Sequence, residues 1–320
     1  SRDEYKVTRQ IGFARSPGLF YGRKQGGEVK MRKEKIRCPF PWFGGKSSPK
    51  IKKAILAALP PHRFYLEPFR GGAAILLAKT PAEVEVYNDA NRGVVNFFRV
   101  VASRCYFGPF MACVRELPYS RELYEEFLRT WPAIHDPVEQ AVRWYFVARQ
   151  SFGGMFGKSW GPGVTTTPTG RWRSSFDNLP LVHDRMQRVQ IECCDWRDCL
   201  ERFSGPDWLA YCDPPYVAGV RKAGGYEHEL RDSDHEALIE VLLRYNGAVV
   251  LSGYDNALYA PLAAAGWDKT ELEVCCSAAG RTRQSGLQGV GKAKKKQKRI
   301  ECIWRTPEAI RRIRDRDDAS

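Results

Sequence analysis

None of the ten cysteines stands in a C-x-x-C spacing, and "CCDWRDC" at 193–199 has no histidine cluster beside it. That excludes the usual zinc frameworks. The five histidines, at 62, 135, 183, 228 and 235, show no ligand spacing either, so no metal is expected, and His235 is placed on a helix surface. No Ser-His-Asp arrangement can be traced. No apolar run approaches the roughly 20 residues of a spanning helix, and no basic amphipathic helix stands out, so a membrane partner is not expected. Full G-x-G-x-x-G and Walker spacings are absent, which argues against a dinucleotide and against a P-loop. The opening "SRDEYKVTRQ" carries no apolar leader. Cys212, Cys275, Cys276 and Cys302 lie inside apolar runs, where thiols behave as small buried hydrophobes. A reducing, cytoplasmic compartment is expected.

What is present is a basic, aromatic-rich chain. Its 320 residues carry a formal charge of +14, with 16 Phe, 14 Tyr and 9 Trp in a 43% apolar composition. That supports a real core and a polyanionic partner, nucleic acid first. Residues 1–37 mix basic residues with glycine and read as an appended arm. Beyond them, strand-like runs at 63–69, 84–89, 189–195, 208–215, 247–255, 267–277 and 298–307 alternate with helical patterns at 72–79, 91–103, 196–203, 233–245 and 255–265. The alternation predicts an α/β fold with a doubly wound, Rossmann-like sheet and ligands at the carboxyl ends of the strands. Catalytic segments are expected at 38–104 and 189–307, with a C-terminal tail at 308–320. Residues 105–188 interrupt them with a mostly helical insert, patterned at 120–131 and 136–150. Its Gly-rich part interleaves Arg149, Lys158, Arg171 and Arg173 with Phe and Trp, which suits phosphate contact and base stacking.

Four short stretches carry chemistry. "EPFRGG" ends a strand in a glycine pair that lets a ligand approach backbone N–H groups, although a structural tight turn explains the pair equally well. One strand later, Asp89 in "YNDAN" suits the two hydroxyls of a ribose, or the cap of the next helix. "PFPWFGGKSSPK" sets an aromatic, a glycine turn and Lys46 before a helix. In "WLAYCDPPYV" a strand stops at Asp213, Pro214, Pro215 and Tyr216. There Asp213 and the Pro214 carbonyl can each accept an N–H of an exocyclic amine, freeing its lone pair for attack, while Tyr216 stacks on the base. A duplex base reaches such a pocket only by flipping out.

Taken together, "PWFGGK", "EPFRGG" and "CDPPY" resemble the Dam-type, D12-class DNA adenine-N6 methyltransferases, in the family's order and over most of the chain. The resemblance implies a seven-stranded sheet ending in an antiparallel hairpin, S-adenosyl-L-methionine as methyl donor, and double-stranded DNA as substrate. It implies a bacterial or phage-infected host, a restriction endonuclease as a candidate partner, and a monomer or weak dimer. By motif match, Trp42 and Lys46 line the donor site and Asp89 holds the ribose. Glu67, Phe69 and Gly71 surround the methionine part, Asp195 and Trp196 lie beside the donor adenine, and Asp213 sits between donor and amine. The insert departs from the family pattern: "ARQSFGGMFGKSWG" and "SFDNLP" replace an Arg-Tyr-Asn-like core and a later Phe-Asn-Val-Pro. Relaxed specificity is therefore expected.

Cytosine-N4 methylation, RNA adenine methylation and a catalytically idle DNA-binding module remain open at this point. Cytosine-C5 methylation does not, because no cysteine follows a proline. A loop dense in Arg and Lys and free of acids, including Arg281, Arg283, Lys294, Lys295, Lys296 and Lys298, separates the last two strands and reads as a phosphate clamp. Changing the four lysines to alanine is expected to weaken DNA binding and to lower the salt slope by about 0.9 for each phosphate no longer neutralised. Titrations of a fluorescent duplex at several salt concentrations check this; an unchanged slope rejects the clamp.

Overall fold

The computed structural model describes residues 35–42, 44–69, 71–163, 167–216, 230–275 and 298–319. Every apolar run expected as a strand is one: β1 Phe64–Glu67, β2 Val84–Asn88, β3 Gln190–Glu192, β4 Trp208–Cys212, β5 Ala248–Tyr254, β6 Asp268–Cys275 and β7 Lys298–Arg305. They form one sheet in the order β3-β2-β1-β4-β5-β7-β6. The first five are parallel, and β7 runs antiparallel between β5 and β6. Such strands are continuous in apolar residues because helices cover both sheet faces. Alternate residues divide between the two: Tyr65, Tyr87, Leu209 and Val250 enter one apolar cluster, and Leu66, Val86, Ala210 and Val249 the other.

Helix ends follow local chemistry. α1 is Pro49–Ala58, with proline in its first turn. Asn91 accepts from Val94 N at the start of α2, Arg92–Ala102, whose Val94, Phe97, Phe98 and Val101 are buried. The insert supplies α3 Phe107–Glu116, α4 Arg121–Thr130, α5 Pro137–Gln150, α6 Thr169–Arg173 and α7 Leu179–Met186. Ser120 caps α4, and Asp136 caps α5 ahead of its leading proline. On the other face lie α8 Trp196–Arg202, α9 Asp232–Arg244 and α10 Ala260–Ala264. α11, Pro307–Asp318, capped by Thr306, occupies what was expected to be a tail.

One further expectation changes. Residues 72–79 form turns, with bonds such as Leu77 N to Ala73 O at 3.0 Å, and no regular helix. Positive φ at Gly71 and Ala73 (40° and 59°) sets the chain outside the helical region where a helix would have to start. The insert packs into the main core: Tyr145 of α5 stacks on Phe97 of α2 at 5.2 Å, inside the cluster that covers one face of the sheet. No helix among the described residues is long and apolar enough to cross a membrane.

One buried ionic cluster ties the insert to the sheet. Glu85 of β2, 1% exposed, accepts from Lys79 Nζ at 2.6 Å and from Arg185 Nη2 of α7 at 2.8 Å. Burial raises its pKa, but the bonds from Arg185 and Lys79 outweigh that and hold it below its ordinary 4.5. Its stabilisation is therefore complete above that ordinary value and fades as pH falls through the lower folded one. Glu85→Ala removes the carboxylate that Lys79 and Arg185 share and is expected to cost about 3–5 kcal/mol, read by urea unfolding at pH 7.

Candidate active site

β1, β2 and β3 step outward one way from β1, and β4 and β5 step the other way. The reversal between β1 and β4 opens a crevice at their carboxyl ends. A cleft of about 510 Å³ lies there, lined by Trp42, Lys46, Glu67, Phe69, Gly71, Asp89, Asp195, Trp196 and Asp213. Those are all nine residues that the sequence assigned to a donor site, drawn from segments more than 170 positions apart. Lys158 of the insert also reaches the wall, beside Trp131 and Phe156.

The glycine turn after β1 closes one end. Gly71 has φ +40°, and a Cβ there would stand 2.1 Å from Trp42 Nε1. Asp89 binds this turn directly: its Oδ2 accepts from Gly71 N at 2.7 Å and its Oδ1 from Asn91 N at 2.8 Å. The cap of α2 that the sequence offered to Asp89 falls to Asn91, and Asp195 accepts from Arg197 N at 2.8 Å to start α8. Trp196 and Phe69 face each other with centroids 5.8 Å apart, an apolar wall at that end.

Around Lys46 and Asp213 the cleft is bordered by a buried charge network. Lys46, 3% exposed, follows a turn in which Gly45 N donates to Trp42 O at 3.1 Å. Its Nζ lies 2.7 Å from Asp213 Oδ1 and 3.0 Å from Glu301 Oε1, and it donates to the Tyr216 hydroxyl. Ser252 Oγ donates to Asp213 Oδ1 at 3.1 Å, with the Tyr211 hydroxyl 2.9 Å behind it. Burial pushes the lysine's pKa down, yet Asp213, followed by Tyr216 and Glu301, leaves it well above normal. At Glu301 burial wins and lifts the carboxyl, with Lys46 pulling the other way.

The four DPPY residues do not all face the cleft. Asp213 and Pro215 line it; Pro214 and Tyr216 do not. Tyr216 is 8% exposed, packed on Tyr254 at 4.3 Å with Lys46 Nζ 4.7 Å from its ring centre. His235, expected on a surface, is fully buried under the Pro215 segment and bonds Tyr259 at 3.0 Å through Nδ1. Among the residues expected to bind DNA, Lys158, Arg171 and Arg173 are exposed. The last two flank Trp172, which is 4% exposed and anchors α6. Arg149 is instead turned inward onto the carbonyls of Pro39 and Arg171. Arg281, Arg283, Lys294, Lys295 and Lys296 lie outside the described residues, as does the side chain of Lys298.

Sequence reasoning passed over Glu301, Ser252 and Tyr254. Glu301 and Ser252 are polar residues inside apolar strands, and a buried polar group needs a partner; that mismatch was their one visible signal.

Residues 42–263 match the family described as D12 class N6 adenine-specific DNA methyltransferase. A DNA adenine methylase from Haemophilus influenzae is 27% identical over 186 residues, 55% of this chain. The chain thus spans 62% of that relative's length. Precorrin 8W decarboxylase from Methanobacterium thermoautotrophicum is a structural match at TM-score 0.37 and 9% identity, covering 84% of this chain and 96% of that one. A candidate RNA methyltransferase from Pyrococcus horikoshii scores 0.33 at 7% identity, covering 79% of each.

Gly71→Ala must displace Trp42 and strain the backbone at once. A loss of at least about 1–3 kcal/mol, read by urea unfolding followed through tryptophan fluorescence, is expected.

Proposed function

The chain belongs to the D12 class of N6 adenine-specific DNA methyltransferases, and from that premise we propose that it methylates the N6 amine of an adenine flipped out of double-stranded DNA. The observation that carries the reading is the position of Asp213. It stands at the carboxyl end of β4, on the wall of a cleft that it shares with Glu67, Gly71 and Asp89.

The cleft fits S-adenosylmethionine as donor. Gly71 leaves bare backbone where a side chain would strike Trp42. Asp89 presents a carboxylate on the cleft wall for ribose hydroxyls, and Glu67 offers a buried carboxylate for an amino-acid head. Phe69 and Trp196 offer an apolar wall for a purine. When bound, the donor supplies an electrophilic methyl group on a sulfonium.

The chain's own residues do the rest. Asp213 accepts one N–H of the target amine, and the Pro214 carbonyl is proposed to accept the other. Both bonds draw the lone pair out of the ring and stabilise positive charge as it grows on nitrogen. Ser252 and Lys46 hold the Asp213 carboxylate from one side, so its aim is set before substrate arrives. Base stacking on Tyr216 requires that ring to swing from Tyr254 and Lys46, which cover it. Lys158, Arg171 and Arg173 are exposed for phosphate contact, and the target word is set within the insert.

Incubating unmodified plasmid with protein and donor, then digesting to nucleosides, is expected to yield N6-methyladenine. N4-methylcytosine alone overturns the reading. DNA binding without donor binding by calorimetry would leave a bare binding module. Asp213→Ala is expected to slow transfer about a hundredfold or more while donor affinity stays within about tenfold, or 1.4 kcal/mol. Full activity in that variant removes Asp213 from the mechanism.

A further inference from the structure

Glu301 lies in β7, far along the chain from the PWFGGK, EPFRGG and CDPPY stretches. It is 1% exposed, and its partners are Lys46, which lines the cleft beside Asp213, and Tyr216. Its Oε1 is 3.0 Å from Lys46 Nζ, and the Tyr216 hydroxyl lies 3.2 and 3.3 Å from its two oxygens. The strand that carries it is clamped on both sides. Glu301 pairs with Tyr254 of β5 and with Leu272 of β6, so its backbone is set by two ladders. Tyr254 is in turn the residue on which the Tyr216 ring packs. A carboxylate in a strand interior of a buried sheet is costly unless it is matched by a cation. Here it is matched by the same ammonium that touches Asp213.

We infer that Glu301 is the positioning residue of the site: it fixes Lys46 and the Tyr216 hydroxyl, and through Lys46 it sets where the Asp213 carboxylate points. The inference rests on the reading of Asp213 as the group that meets the target amine. Lys46 has three donors, shared among Asp213, Tyr216, Glu301 and, at 3.5 Å, the Gly44 carbonyl. Without Glu301, the ammonium loses one of its two carboxylate partners and gains freedom to pivot. Asp213 Oδ1 is held by Ser252 and Lys46 together, so a pivoting lysine turns the carboxylate about the remaining serine bond. Donor and DNA affinity do not depend on that aim, whereas the transfer step does.

The test compares wild type, Glu301→Gln, Lys46→Met and the double variant in single-turnover methyl transfer, with donor affinity read by calorimetry and DNA affinity by anisotropy. Glu301→Gln is expected to slow transfer about ten- to hundredfold, with both affinities within about threefold of wild type. The double variant is expected to be no slower than Lys46→Met alone, because one acts through the other. A Glu301→Gln rate within about twofold of wild type overturns the inference, and so does a double variant that loses the product of the two single effects. If Glu301→Gln does not bind donor, Tyr216→Phe takes its place in the cycle; its loss is expected to vanish in the Lys46→Met background, and a multiplicative loss overturns the inference. A wild type that forms no N6-methyladenine sinks the functional reading itself; a methylating wild type matched by Glu301→Gln sinks only the role of Glu301.

Discussion

An ammonium taken out of water costs several kcal/mol unless carboxylates meet it at bonding distance. Lys46 is such an ammonium, and the need to satisfy it organises this end of the molecule. Asp213 and Glu301 flank it at 2.7 and 3.0 Å, and it also donates to the Tyr216 hydroxyl. The three partners come from the end of β4, from β7, and from the segment that follows β4. One buried charge therefore joins the amino-terminal glycine loop to the sheet's centre and to its antiparallel edge.

The sheet order gives that network its place. Because β1 and β4 are neighbours from which the chain departs in opposite directions, their carboxyl ends face an unfilled crevice. Glu67 ends β1 and Asp213 follows β4, so the two acids arrive at one cleft without any local sequence relation. The same reversal brings the Gly71 turn against Trp42, which lies before α1. Close approach of a tryptophan to a bare glycine is what keeps this wall thin, and the bond from Gly71 N to Asp89 holds the turn in shape. Asp89 is thus at once a brace of the turn and an acceptor at the cleft.

How much of this was legible depended on range. Strands showed as apolar runs because parallel strands are buried on both faces, and each of the expected runs is present. The nine cleft residues were legible only through their motifs; nothing in spacing alone places Trp42 beside Gly71. Residues 72–79 looked helical because Ala, Ile and Leu are good helix formers, but the positive φ at Gly71 and Ala73 is a backbone demand that composition hides. His235 looked like a surface residue because it follows three polar residues in "DSDHEAL", and its burial comes from Tyr259, 24 positions away. Glu301 sits in an apolar strand pattern and belongs to no motif. Its meaning lies in Lys46, on the far side of the chain, and no local pattern reports a partner 255 residues distant.

The insert shows the same limit at larger scale. Its Arg and Trp pattern reads as a DNA-facing surface, yet Arg149 points inward to backbone carbonyls, and Trp144 and Trp172 are buried. The aromatics serve the packing first: Phe97 and Tyr145 stack across α2 and α5, and Arg185 of α7 closes on Glu85 of β2. The packing leaves Lys158, Arg171 and Arg173 exposed. Since Lys158 also reaches the cleft wall beside Trp131 and Phe156, the insert forms part of that wall, and a change in how it packs on α2 is felt in the cleft.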